Sequence, residues 1–111
     1  MAGDLRDWRG LIQERFPDWG TEAYRTRWLQ ETPELHVGQS ISGTVVAVAH
    51  FGFWLDIGLE FVALLLITKS GVEPPMQIED YAQVGDSMDC LVDVVGPNAE
   101  VGVREVDCVA K

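Results

Sequence analysis

Residues 43–68 read GTVVAVAHFGFWLDIGLEFVALLLIT. The run opens apolar and β-branched, turns at His50-Phe51-Gly52, alternates through Phe53, Leu55 and Ile57, and becomes apolar again from Phe61 to Ile67. A strand alternates its side chains between two faces, so Phe53, Leu55 and Ile57 should face a core and Trp54 and Asp56 should face away from it. With Gly58-Leu59-Glu60 as a second turn, the stretch predicts three strands: Ser40–Ala49, Phe53–Ile57 and Phe61–Thr68. Gly43 marks a bend or a close backbone approach in the first of them.

Toward the C-terminus, Lys69–Val84 carries Gly71, Pro74 and Pro75 and reads as a loop with one helical turn at Ile78-Glu79-Asp80-Tyr81. Val84-Gly85-Asp86 opens a fourth strand, Ser87–Val95. Residues 96–99 turn the chain, and Glu100–Val106 forms a fifth strand. Five short strands with a long connection between the third and fourth predict a mainly β fold, a small closed Greek-key barrel.

Toward the N-terminus the period changes. Leu5, Trp8, Leu11, Ile12 and Phe16 recur at helical spacing, which predicts an amphipathic helix over residues 4–19, with Phe16-Pro17 opposing its continuation. Thr21 has the chemistry of an N-cap for a second helix, Glu22–Glu31, closed by Thr32-Pro33. The chain thus divides into a helical N-terminal extension, residues 1–34, and a barrel, residues 35–111. Two short helices bury little by themselves, so they must dock, either as extra core on the barrel or against another chain.

With these elements assigned, residues 35–105 resemble the S-one RNA-binding domain family, the repeat unit of ribosomal small-subunit protein one, which has the OB fold. The matching pieces stand in order: Val37-Gly38, Gly43-Thr44-Val45, Phe51-Gly52-Phe53-Trp54, Asp56-Ile57-Gly58, Leu64 to Thr68, and Tyr81-Ala82-Gln83-Val84-Gly85-Asp86. The resemblance implies a non-catalytic module that binds single-stranded RNA through an aromatic face. The family's two exposed aromatics fall on Phe51 and Trp54, both able to stack on bases. Its usual histidine in the third strand falls on Leu66. Its acidic residue ending the fourth strand falls on Gly96, its basic residue opening the fifth falls near Glu100, and a further basic position falls on Leu91. The stacking groups are kept and the phosphate-holding groups are not.

Charge sharpens that contrast. The whole chain carries eight Lys plus Arg against eighteen Asp plus Glu, a net charge of −10. Residues 1–34 hold five arginines and seven acids, whereas everything after Glu34 holds Lys69, Arg104 and Lys111 against eleven acids. RNA affinity rests largely on cations that neutralise phosphates. Arg25 and Arg27, beside Trp28, are the candidate phosphate contacts, although pairing with nearby acids competes for them. A face of Phe51, Trp54 and Leu66 is also what a protein-binding surface looks like. The two readings are therefore weak single-stranded RNA binding, and self-association or protein binding through the same apolar face, with Trp8, Leu11, Phe16 and Trp28 available to cover it.

Other chemistry is not predicted. His36 and His50 lack a nucleophile or ligand constellation, Asp86, Asp89 and Asp93 alternate along one strand as on a solvated edge, and Cys90 and Cys108 sit in apolar surroundings as small buried hydrophobes. No phosphate loop or catalytic triad order is present. The expectation is no enzyme, no metal and no cofactor. No apolar run approaches ~20 residues and the start lacks a basic segment followed by an apolar one, so neither a membrane span nor a secretory signal is predicted, and the expected location is the cytoplasm.

Overall fold

A computed structural model describes residues 8–70, 72, 77–96 and 99–105. The elements are α1 (Trp8–Arg15), α2 (Glu22–Gln30), β1 (Ser40–Ala49), β2 (Gly52–Asp56), β3 (Ala63–Leu66), a 3-10 turn (Ile67–Lys69), α3 (Ile78–Tyr81), β4 (Ser87–Val95) and β5 (Val101–Glu105). The strands close into one barrel in the order β1-β2-β3-β5-β4. All pairs are antiparallel except β3 with β5. This is the predicted five-stranded OB-type barrel with helices at its N-terminal side. Among the described residues no helix is long and apolar enough to cross a membrane.

Register explains the core. Val48 lies opposite Phe53, Phe53 opposite Leu65, Leu65 opposite Val103, and Val103 opposite Val92. These five inward side chains form one buried layer. A second layer runs from Val45 to Leu55, Ala63, Val101 and Val95. A barrel of this size is filled by its own side chains, and alternation keeps the intervening residues on the outside. Gly43 is the predicted close approach: a Cβ there would stand 3.1 Å from both Leu55 Cβ and Ile57 Cγ2.

Three expectations are corrected. The first helix ends at Arg15, well short of residue 19, because Pro17 has no N–H to continue it; residues 4–7 lie outside the described part. The third strand spans only Ala63–Leu66, since Ile67–Lys69 winds into the 3-10 turn and Val62 N–H is taken by the Tyr24 hydroxyl at 2.9 Å instead of a ladder partner. Asp93 is not a solvated edge residue. It is the extra residue of a bulge in β4 and pairs with Lys69, with Arg104 at 3.9 Å. The turn at Pro97-Asn98, Val106 and Cys108 fall outside the described residues, whereas Cys90 is a free, buried thiol whose pKa burial pushes up to about 12.

The helices share the barrel's core. Thr21 caps α2 by accepting from Tyr24 N–H at 3.3 Å, and Tyr24 and Trp28 both stand edge-on to Phe61, at 5.3 and 5.0 Å. Ile12 and Phe16 join the same buried cluster from α1. Near Tyr24, burial raises the pKa of Glu100 above the ordinary carboxylate range. A raised folded pKa means stability is fullest below the unfolded-state value and falls as pH rises through the folded one. Glu100→Gln is therefore expected to raise the melting temperature at pH 7 and to leave it unchanged near pH 3.5, as read by calorimetry. Equal shifts at both pH values would refute the assignment.

Candidate nucleic-acid interface

The outward row of the barrel runs through Ala47, Trp54, Leu64, Gly102 and Val94, one residue from each strand in barrel order. Exposure grows along it. Ala47 and Trp54 are buried, Leu64 is half-buried, and Val94 is 44% exposed. Phe51, in the β1–β2 turn, stands 6.3 Å from Trp54 with the rings at 86°. Between them sits Gly52, and its register partner across β3 is Leu66, 37% exposed. A Cβ on Gly52 would meet the Leu65 carbonyl oxygen in hard overlap and lie 3.0 Å from Leu66 Cα. The missing side chain is what lets β3 approach the turn, and Ile67 N–H then donates to the Phe51 carbonyl at 2.8 Å. Phe51, Trp54 and Leu66 are thus brought together by one hairpin and its neighbouring strand.

Trp54 faces away from the barrel as its alternation requires, yet it is only 4% exposed. Trp8, from the first turn of α1, lies parallel to it with centroids 5.8 Å apart and planes 9° from parallel. Trp19 meets Trp54 at 5.6 Å with planes at 73°, and Trp8 stands edge-on to Phe51 at 5.2 Å. Offset parallel and edge-to-face geometries are those the aromatic quadrupole favours. Of the residues expected to cover this face, Trp8 does so and Trp28 instead packs on Phe61. Trp19 was not expected. It follows Pro17 in a turn, where helical periodicity carries no information. Closure has one cost: among the described residues the buried Trp54 indole N–H meets no hydrogen-bond acceptor.

The cations are mostly spent within the chain. Arg15 pairs with Asp56 at 2.7 Å, Arg27 pairs with Asp18 and with Glu60 at 3.1 Å, and Lys69 and Arg104 share Asp93. The Arg27 guanidinium holds the Asp18 carboxyl below its usual range. Arg27 is therefore tied to acids beside Tyr24 and Phe61, at 5.5 and 5.4 Å from their ring centres, and is not turned to the Phe51–Trp54 pair. Arg25 is exposed on α2, and Arg9 lies 4.9 Å from the Trp8 ring centre. His50, exposed, stands edge-on to Phe51 at 5.4 Å. Elsewhere an open groove of roughly 810 Å³ is lined by Asp86, Asp89 and Glu105 with Ser40 and Ser87, a field that repels phosphate. Among the described residues no His/Cys/Asp/Glu group is arranged to hold a metal ion.

No family model and no curated protein matches this chain. Solved structures do. The chain is similar to GSP13 from Bacillus subtilis, with a TM-score of 0.58 and 19% identity over 65% of this chain and 56% of that one. It is similar to the uncharacterized protein MJ1198 from Methanocaldococcus jannaschii, with a TM-score of 0.56 and 17% identity over 69% of this chain and the whole of the other. A chain of the a/eIF2alpha-aDim2p-rRNA complex from Pyrococcus horikoshii gives a TM-score of 0.57 and 22% identity over 68% of this chain and 45% of that one. The chain thus spans about half the length of two of these three structures. At such identities the likeness is one of fold.

Proposed function

We propose that this chain is a non-catalytic module of the S-one type that binds single-stranded RNA weakly, through the face built on Phe51 and Trp54 with Leu66 at its edge. The observation that carries the reading is the Phe51–Trp54 pair itself: two aromatics 6.3 Å apart on the outward side of the β1–β2 hairpin. Ring faces accept any base, at about 1–3 kcal/mol per stacked base, so they give affinity without sequence preference. Support also comes from the likeness in fold to a chain solved in a complex with rRNA. Among the described residues Arg25 and Arg9 are the cations left to meet phosphate, since Arg27 is held by Asp18 and Glu60.

The electrostatics make the reading quantitative. With one or two phosphates neutralised, single-strand affinity should fall only about three- to seven-fold between ~50 and ~200 mM salt. Fluorescence anisotropy with a labelled oligouridylate of about ten nucleotides is the measurement, and Phe51→Ala and Trp54→Leu should each weaken binding about five-fold or more. No binding at ~50 mM salt, either by the unaltered chain or by a Trp8→Ala variant that uncovers Trp54, would remove RNA from the reading. The exposed Leu66 and Val94 favour a second reading, protein binding or self-association through the same face. Concentration-dependent dimerisation that Leu66→Asp abolishes, without RNA binding, would establish that instead.

A further inference from the structure

We infer that α1 is a displaceable cap in which Trp8 occupies the place of a stacked base, so that the chain inhibits its own aromatic face. The inference rests on the RNA-binding reading above. Trp8 lies 9° from parallel to Trp54 and edge-on to Phe51, which is the placement a base would need in order to use both rings. A ligand and Trp8 therefore compete for one surface.

The cap is hinged. Its C-terminal half is anchored by the buried Ile12 and Phe16 and by the Arg15–Asp56 ion pair. Its N-terminal end holds on through Trp8 and the half-buried Leu11. Gly10, between Trp8 and Leu11, weakens the helix where it is solvent-exposed, and eight residues make a helix that is marginal without its packing. A second, independent observation argues that the closed form is not fully satisfied: among the described residues no acceptor meets the buried Trp54 indole N–H. Lifting Trp8 would expose that donor to water or to an acceptor on the ligand. The closed form thus gains ring stacking and forgoes one hydrogen bond, which keeps open and closed forms within reach of each other.

Apparent affinity scales with the fraction of open molecules. Trp8→Ala should therefore tighten oligouridylate binding at ~50 mM salt by at least about five-fold, and Trp54→Leu should weaken binding in both backgrounds. Near-UV circular dichroism and thermal melting show whether each variant is folded. A second measurement needs no variant: saturating RNA should increase hydrogen exchange of the α1 amides in the unaltered chain. Unchanged affinity of Trp8→Ala, with binding still dependent on Trp54, would overturn the cap and leave the RNA reading intact. Weaker binding would make Trp8 part of the platform and overturn the cap too. Undiminished α1 protection in the RNA complex would do the same, and no binding by any variant would end both readings.

Discussion

Gly52→Ala should destabilise the fold by about 3 kcal/mol, more than a surface-exposed glycine could, because the added methyl meets main chain and not a movable side chain. The Leu65 carbonyl oxygen and Leu66 Cα stand where the Cβ would go, and both belong to the strand that pairs with β2. Relief requires β2 and β3 to separate at the point where Ile67 N–H reaches the Phe51 carbonyl. Thermal unfolding should show a loss of about 12–24 °C for a domain of this size. The same separation shifts Phe51 relative to Trp54, so any surviving folded protein should bind RNA more weakly. A melting temperature within about 2 °C of the original would show that the sheet absorbs the methyl, and would sink the argument.

Trp28→Ala should be at least as damaging, at about 3–5 kcal/mol, the usual range for emptying a buried tryptophan site. Trp28 is buried edge-on to Phe61, and a Cβ placed on Gly96 would lie 3.9 Å from its ring, so one side chain of α2 packs at the entry to β3 and lies close to the exit from β4. The expected signature is one cooperative transition lowered as a whole, seen together by far-UV and near-UV circular dichroism. If the helices were an appendage, the strand signal would melt at its original temperature while the helical signal fell earlier. That outcome would separate the N-terminal 34 residues from the barrel's core.

The barrel was legible because its signals are local. Gly38, Gly58 and Gly85 adopt positive φ at the turns that bound the strands, and β1 and β4 fall on Ser40–Ala49 and Ser87–Val95 as their composition predicts. The third strand is shorter than its apolar run predicts, because such a run looks the same in a strand and at the start of the turn that follows it. Ile67 leaves the sheet without any change in hydropathy from Leu66. For the site, alternation placed Trp54 on the outer surface but carries no information about what lies over it. Cover depends on contacts between residues 8, 19 and 54, and a pattern-based reading sees only neighbours along the chain. The ion pairing of Arg27 was weighed as a competing reading because acids lie nearby in sequence. Its second partner, Glu60, is a tertiary contact.

Closure of the barrel has a consequence for how this chain can meet another. β1 pairs with both β2 and β4, and β5 with both β3 and β4, so each of the five strands has a neighbour on either side. Among the described residues no strand of the barrel leaves a whole edge unpaired, although Ser40–Gly43 of β1 pairs only with β4 and Ser87–Asp89 of β4 only with β1. Strand addition along a full-length edge, with its tolerance of partner sequence, thereby has no place to start. Association over the Leu66 and Val94 surface then rests on side chains and fitted shape, so a single charged substitution at either can distinguish one docking face from another.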